Sequence, residues 1–129
     1  MTLSEENEAI AGHLVQQALI LARYDLVPDN DGENRRQRNI RFGEVKKNPL
    51  FRIDPDAKQL WDWFRDIDRQ RQQADGMPQP VTFSDLYAWS KLTPNEPDHE
   101  QLEILRRIDS AFCHGIAEEC DEVRSINAA

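Results

Sequence analysis

The sequence predicts an all-α fold, a small helical bundle of about four helices with a long irregular connection between the first helix and the second. Apolar residues recur at spacings of three and four in several segments, capping residues precede these segments, and proline or glycine clusters separate them. No segment supports a strand. A chain of 129 residues has the length of a single domain. We divide it into residues 1–55, an amphipathic helix plus a basic irregular connection, and residues 56–129, a helical core domain.

The first predicted helix runs from about Ser4 to Tyr24. Thr2 or Ser4 is its N-cap, and acidic residues fill the first turn, where the helix dipole favours negative charge. Pro28 closes the segment. This amphipathic helix can offer its apolar stripe to a partner helix or to another subunit, so a homo-oligomer through helix 1 is one expectation. The stripe consists of Ile10, Leu14, Val15, Ala18, Leu21 and Ala22.

A basic segment, residues 28–53, follows the first helix. It has seven basic and four acidic residues, whereas the whole chain has 16 Lys and Arg against 24 Asp and Glu. No periodicity persists in it, so an irregular connection, a flexible arm and a short hairpin all stay open. A structureless loop of this length is unusual inside a compact domain unless it is functional. The predicted basic patch consists of Arg35, Arg36, Arg38, Arg41, Lys46 and Lys47.

The basic patch has three interpretations: it binds RNA, it binds an acidic partner, or it pairs with the acidic helices of the chain itself. The segments on both sides are acidic, which favours pairing within the molecule or with a second copy. The net charge of −8 argues against general nucleic-acid binding, which requires a net basic face. The sequence therefore disfavours nucleic acid as a partner.

Three further helices are predicted. The second spans about residues 54–73, with Asp54 as N-cap and Pro55 at the first helical position. The third spans about residues 82–92 and begins with a Thr-Phe-Ser-Asp run that resembles a capping box. The fourth spans about residues 98–125, with Asp98 as its cap, and its apolar residues follow helical spacing.

Patterns typical of catalysis and metal binding are missing from the sequence. The five glycines are isolated from one another, and the three histidines belong to no zinc-binding pattern. No serine, cysteine and histidine spacing indicates a catalytic triad. Cys113 and Cys120 would lie about 10 Å apart on one helix, beyond bridging distance, as buried thiols in a reducing compartment. We expect no enzymatic activity, no cofactor and no metal site.

The sequence also predicts the cellular location of the protein. It has no run of about 18 apolar residues that would cross a membrane. Its N-terminus is acidic where a signal peptide would be basic and then apolar. We therefore expect no membrane association and residence in the cytoplasm of the cell that made it.

Three tryptophans, Trp61, Trp63 and Trp89, lie in the second and third predicted helices. Tryptophan at helical spacing is more often part of a core than a binding platform. Three in a chain of this length can also anchor a protein interface, and both interpretations stay open.

Four motifs carry a resemblance to a known family. A tryptophan-rich helix is followed by a polar loop, a short helix that ends in Trp-x-x-Leu-Thr, and a last helix with Leu-Arg-x-Leu-Asp. Leu60 to about His114 thus resembles the tail-assembly chaperones, small proteins encoded among the tail genes of long-tailed bacteriophages and prophages. Here the motifs are Leu60-Trp61-Asp62-Trp63-Phe64, Pro80-Val81-Thr82-Phe83-Ser84-Asp85-Leu86, Trp89-Ser90-Lys91-Leu92-Thr93 and Leu105-Arg106-Arg107-Ile108-Asp109.

Two positions depart from the family pattern. Pro94 stands where the family usually has glycine, and His99-Glu100-Gln101 stands where it usually has Pro-Trp-Glu. Residues 1–55 lie outside the pattern, so this extension can carry a function of its own.

The resemblance implies a non-enzymatic assembly factor in the cytoplasm of the bacterial host. Such a factor covers the hydrophobic helices of the tape-measure protein and helps to gather tail-tube subunits around it. Apolar and aromatic side chains would shield the partner, while the negative net charge would keep the complex in solution. The candidate partner-binding residues are Trp61, Trp63, Phe64, Trp89 and Phe112.

Two other functions stay open. The first is a phage-encoded acidic inhibitor or decoy of a host defence complex, whose last helix would present Glu118, Glu119, Asp121 and Glu122 to a basic nucleic-acid groove. The second is a structural virion component of the tail or connector, in which residues 28–53 become ordered on assembly. Decoy binding should weaken steeply with salt, chaperone binding should survive it, and a virion component should be found in purified particles.

Overall fold

The computed structural model describes residues 2–128, and helices dominate this part of the chain, which confirms the predicted all-α class. A two-stranded antiparallel hairpin interrupts them, and short 3-10 turns cover Val45–Lys47 and Pro55–Ala57. The hairpin consists of β1 (Gln73–Ala74) and β2 (Met77–Pro78). The helices are α1 (Glu5–Ile20, continued by a π-helical turn over Leu21–Asp25), α2 (Arg35–Arg41), α3 (Lys58–Arg69), α4 (Phe83–Leu92) and α5 (His99–Ala128).

Helices α1 and α5 lie side by side and run in the same direction. Near their starts the backbone N–H of Ser4 donates to Glu100 Oε1 at 2.6 Å, and near their ends Arg23 contacts Glu122 at 3.3 Å. Between these contacts Gly115 of α5 faces α1 so closely that a Cβ at this position would lie 2.9 Å from the Cβ of Ala22. Glycine at this position therefore permits the close approach of the two backbones.

A single hydrophobic cluster joins α1, α3, α4 and α5. Leu14 and Ala18 of the predicted α1 stripe are fully buried in it, together with Phe64 of α3 and Ile108 of α5. The stripe that a homo-oligomer through helix 1 would use is therefore covered by the chain's own helices. The division of the chain at residue 55 stays a prediction, and the hydrophobic core runs across it.

The connection between the first two predicted helices is less irregular than we expected. It contains α2, which begins with a capping box: the Asn34 side chain accepts from the Gln37 backbone N–H at 2.8 Å, and the Gln37 side chain accepts from the Asn34 N–H at 2.9 Å. The chain then returns along α1, where the Arg52 N–H donates to Gln17 Oε1 at 2.8 Å. The Asn-x-x-Gln spacing is the signal that the sequence analysis missed.

The hairpin corrects the predicted end of the second helix. Helix α3 ends at Arg69 rather than near Gln73, and the following residues turn through Asp75 and Gly76, with φ of 55° and 77°. Two consecutive residues with positive φ form the tight turn whose twist matches paired strands, and Asp-Gly is a strong signal for it. The sequence analysis took these residues only as a helix breaker.

The starts of α4 and α5 confirm the predicted caps. Thr82 accepts from the Asp85 backbone N–H at 3.1 Å, and the Asp85 side chain accepts from the Thr82 N–H at 3.1 Å. Asp98 and Gln101 exchange the same pair of bonds at the start of α5, at 2.8 and 2.9 Å. These reciprocal bonds satisfy backbone donors that a helix start leaves unpaired.

Candidate partner-binding surface

Most of the candidate partner-binding aromatic residues lie in the core. The ring centroid of Phe64 lies 5.4 Å from that of Trp61 and 5.5 Å from that of Phe112. Trp61, Phe64, Phe112 and Trp89 are all buried. Trp63 is half-buried, and its ring centroid lies 5.8 Å from that of Trp89 in an edge-to-face arrangement. Apolar spacing cannot separate core from interface, and in this conformation four of the five rings are covered. The role of these five rings in partner binding therefore stays a prediction. The exposed residues of α4 are the ones that a partner could contact in this conformation.

Helix α4 is anchored on α3 through its inner side. Leu86 and Trp89 are buried, and the indole N–H of Trp89 donates to Asp66 Oδ2 at 2.8 Å. This bond satisfies the polar atom of a buried tryptophan, as such rings require. The core aromatic residues therefore set the position of α4.

Exposed apolar residues flank the buried face of α4 on both sides, because Leu92 follows Phe83 by nine residues and therefore points about 180° away from it. Phe83 is 73% exposed, Tyr87 65% and Leu92 86%. Phe83 and Tyr87 are four residues apart, so they lie next to each other on one side of the helix. Arg106 and Lys91 lie beside these rings, at 6.0 and 5.4 Å from the centroids of Phe83 and Tyr87. Neighbouring exposed rings form an apolar patch, which is more informative than a single exposed apolar residue.

A groove of about 690 Å³ lies between α4, the end of α3 and the hairpin. Ile67, Val81, Ala88 and Leu92 supply its apolar lining, and glutamine and threonine side chains supply polar groups. Its volume is in the range of ligand-binding clefts. We call this groove, together with Phe83, Tyr87 and Leu92, the α4 surface.

The side chain of Arg71, almost fully buried, holds the hairpin beside this groove. It donates to Asp109, to Asp68 Oδ1 at 2.8 Å and to the carbonyl of Gln79 at 2.8 Å. Asp109 also accepts from the backbone N–H of Val81 at 2.8 Å. Burial lowers the pKa of Arg71, but its hydrogen bonds to the two carboxylates outweigh burial and raise it overall. The sequence analysis missed this cluster. The signal for it in the sequence was Asp109, a carboxylate on the otherwise apolar face of the last predicted helix.

Cys113 adjoins the same cluster, with its Sγ 3.3 Å from Arg71 Nη1. Burial, and then the charge of Asp109, raise the pKa of the Cys113 thiol to about 11. The thiol is therefore protonated at neutral pH, which makes it a weak nucleophile.

The predicted basic patch is paired within the molecule for the most part. Arg35 contacts Glu119 at 2.7 Å and also Glu122, and Arg38 lies 3.3 Å from both Glu119 and Asp29. The remaining ion pairs are Arg36 with Asp25, Arg41 with Glu33, and Lys47 with Glu44.

These pairs favour the interpretation in which the patch pairs within the molecule, because most of its cations have carboxylates of the same chain beside them; a role in binding RNA or an acidic partner stays an untested prediction. Hydrogen bonds to Glu119 raise the pKa of Arg35, and hydrogen bonds to Asp25 raise that of Arg36. Lys46 has no ion pair with any residue from 2 to 128.

Other classes of site are not found among the described residues. Residues 2–128 hold no cluster of histidine, cysteine or acidic side chains suited to a metal ion. None of the helices in this range is long and apolar enough to cross a membrane.

A comparison with protein families places this surface in context. The model of the phage tail assembly chaperone family matches residues 46–114, which contain α3, the hairpin, α4 and the first half of α5. No curated protein and no solved structure matches the chain. The match covers more than half of the chain and contains the whole α4 surface, whereas α1, α2 and Glu119 lie outside it. The chain belongs to the phage tail assembly chaperone family.

Proposed function

We propose that this protein binds the tape-measure protein of its phage through the α4 surface and helps to gather tail-tube subunits around it, without catalysis, in the cytoplasm of the bacterial host. The observation that carries the proposal is the exposure of Phe83, Tyr87 and Leu92 within the segment that the family model matches. Large exposed apolar groups in a small charged protein mark interaction sites.

The α4 surface suits an amphipathic helix as partner. Helix-in-groove recognition uses apolar side chains at spacings of three and four, which would contact Ala88 and Leu92 in the groove or the rings of Phe83 and Tyr87. The net charge of −8 would keep such a complex in solution while the partner's apolar helices are covered.

The acidic last helix offers less support to a decoy function. Glu119 is fully buried, and Glu122 contacts both Arg23 and Arg35. Glu118 lies 2.8 Å from His114, and Asp121 lies 3.2 Å from Arg124. These carboxylates already have basic neighbours within the chain, so they are not a free acidic face.

Co-expression with the tape-measure protein tests the proposal. We expect the wild-type chain to keep the tape-measure protein in the soluble fraction, in a complex that survives high salt because apolar contacts carry it. The double variant Phe83→Ser, Tyr87→Ser should lose this effect. The matched control is Phe42→Ser, Leu50→Ser, which removes a comparable pair of exposed apolar groups outside the α4 surface.

Melting curves should show that both variants are folded, because all four side chains are exposed. The proposal fails if the α4 variant keeps the tape-measure protein soluble as well as the wild type does. Capture of a host nucleic-acid-binding complex that high salt removes would favour the decoy, and recovery of the chain in purified particles would favour a virion component.

A further inference from the structure

A second exposed apolar surface lies on the connection between α2 and α3. Four large apolar side chains within eleven residues stay outside the hydrophobic core. They are Ile40, Phe42, Val45 and Leu50, which are 57%, 65%, 58% and 78% exposed. We call these four residues the connection surface.

Hydrogen bonds across the connection order this surface. The Asn39 side chain donates to Asn48 Oδ1 at 2.7 Å, and the Asn48 side chain donates to the carbonyl of Arg36 at 3.2 Å. The first of these bonds closes residues 39–48 into a compact loop, which contains three of the four apolar side chains. Arg36 also donates to the carbonyl of Pro49 at 2.8 Å. A loop that is already ordered loses little conformational entropy when a partner binds.

The connection surface is also basic. Residues 40–52 contain four basic residues and one acidic residue, although the whole chain has a net charge of −8. Lys46 and Arg52 are exposed and have no ion pair within residues 2–128. Solvent-accessible pairs contribute little to stability, so their cations can also face a partner. Two such pairs adjoin the surface, Arg41 with Glu33 and Lys47 with Glu44.

This combination of groups fits an acidic protein segment better than a nucleic acid or a membrane. The Arg41 guanidinium lies over the Phe42 ring, 4.4 Å from its centroid, and leaves less of the ring to stack on a base. Recognition of anionic membranes uses clusters of about four to eight cations, and the net charge of −8 opposes it. An amphipathic protein segment with carboxylates matches both the cations and the apolar side chains.

The connection surface and the α4 surface lie on different sides of α3. Phe51, next to the connection surface, packs on Trp61 with ring centroids 5.7 Å apart. Trp89, on the inner side of α4, packs on Trp63 at 5.8 Å. Positions two residues apart on a helix point about 200° apart. A partner on one surface therefore leaves the other open.

We propose that the connection surface binds a protein other than this chain, through an amphipathic segment in which aspartate or glutamate flanks apolar side chains. The four apolar side chains would supply affinity, while Lys46 and Arg52 would select the acidic segment and speed association. Because charge contributes, this contact should weaken as salt rises. It uses no residue of the α4 surface, so the acidic partner does not compete with the tape-measure protein.

Photo-cross-linking in the phage-producing host tests the proposal. Benzoylphenylalanine in place of Phe42 reports what touches the connection surface, and the same group in place of Ser110, an exposed residue of α5, is the control. We expect position 42 to cross-link, severalfold above position 110, to one segment of another protein. Mass spectrometry should identify acidic and apolar side chains in that segment.

Charge reversal separates this contact from chance proximity. Lys46→Glu, Arg52→Glu should reduce cross-linking from position 42 severalfold. The control Lys91→Glu, Arg124→Glu has the same net charge and should keep the cross-link. Melting curves should show both variants folded, because all four side chains are exposed.

A synthetic peptide with the sequence of the cross-linked segment then gives the affinity, by fluorescence anisotropy. Its dissociation constant should rise with salt, and a peptide with amides in place of the carboxylates should bind more weakly. A peptide with lysine at those positions should bind the Lys46→Glu, Arg52→Glu variant more tightly than it binds the wild type.

A cross-link from position 42 to nucleic acid, to lipid, to a second copy of this chain or to a segment without acidic residues would overturn the proposal. So would a yield no higher than at position 110, or equal yields from the two charge variants. The variant Phe83→Ser, Tyr87→Ser should keep the cross-link, and its loss there would show that one partner spans both surfaces. Loss of tape-measure binding alone in that variant bears on the proposed function.

Discussion

Two buried carboxylates on α5, Asp109 and Glu119, fix two different parts of the molecule. Asp109 holds Arg71 and the hairpin beside the α4 surface, whereas Glu119 holds Arg35 and Arg38 of α2. Asp109 lies within the segment that the family model matches, and Glu119 lies outside it. A buried carboxylate of α5 thus positions a part of the molecule inside the family match and another part outside it.

The two sites differ in how much each depends on its carboxylate. Glu119 is 0% exposed and accepts from two arginines, and each of these keeps one further carboxylate beside it, Glu122 for Arg35 and Asp29 for Arg38. Arg71 keeps Asp68 and the carbonyl of Gln79 when Asp109 is removed. The difference lies in the number of cations: Glu119 joins two arginines, whereas Asp109 joins one, so we expect the loss of Glu119 to disturb more ion pairs.

Glu119→Gln should have the largest effect. Removal of one partner from a buried ion pair costs about 3–5 kcal/mol, because the remaining charge stays buried. Urea unfolding should show this loss, and hydrogen exchange should quicken over residues 35–41. The control Glu118→Gln, at a neighbouring exposed position, should change stability by less than about 0.5 kcal/mol. Equal stability of the two variants would contradict the assignment of Glu119 as the buried ion-pair partner of Arg35 and Arg38.

Asp109→Asn should cost less, about 2–3 kcal/mol, as expected for lost hydrogen bonds to a charged group. Asparagine can still accept from the Val81 N–H, and Arg71 keeps its other acceptors. Hydrogen exchange should quicken over residues 71–81 and stay unchanged over residues 35–41. Asp121→Asn, an exposed position on the same helix, is the matched control. A larger loss than in Glu119→Gln would reverse the comparison.

Gly115→Ala tests the helix contact between the two sites. The new Cβ would lie 2.9 Å from Ala22 Cβ, and such overpacking costs about 1–3 kcal/mol. The helix preference of alanine offsets about 1 kcal/mol of this. Gly12→Ala is the control, since no atom lies within 4 Å of its new Cβ, and it should stabilise the protein. Thermal melting would reject the close contact if both variants gained stability.

The ionisation of Cys113 has no effect on stability at neutral pH, and it reports on the Asp109 site. Its pKa is raised from 9.0 to about 11, so the folded state keeps the thiol proton to higher pH than the unfolded state. The resulting stabilisation is complete below pH 9 and is lost as the pH rises towards 11. The alkylation rate of Cys113 against pH, measured by mass spectrometry, should have a midpoint near 11 that Asp109→Asn lowers and Glu119→Gln leaves in place.

Local signals predicted three of the helix starts, whereas Asp54 begins a 3-10 turn over Pro55–Ala57 and α3 itself begins only at Lys58. Ser4 and the pairs Thr82 with Asp85 and Asp98 with Gln101 cap helices through bonds between neighbours in sequence, so the sequence contains both partners. The helix of residues 35–41 and the hairpin turn at residues 75–76 had local signals too, but prolines, glycines and dense charge nearby favoured an irregular interpretation.

The candidate site could not be predicted in the same way. The pair of Arg35 and Glu119 joins residues 84 positions apart, and no local pattern specifies such a partner. The tryptophans show the same problem, because helical spacing places Trp61 and Trp89 on an apolar face without saying whether that face packs on the chain or on a partner. Exposed residues such as Phe83 and Tyr87 became distinguishable only once the core was assembled.

The parallel pairing of α1 with α5 has a consequence for synthesis. Helix α1 leaves the ribosome first, but the residues that it contacts follow almost a hundred positions later, as in the pairs Ser4 with Glu100 and Glu8 with Arg107. At ordinary rates of translation this delay is about 5–20 seconds. During that time Leu14 and Ala18 lack the cover of α5, and contacts between such distant residues form slowly. A nascent chain of this assembly factor therefore passes through a period in which its own first helix needs protection from aggregation.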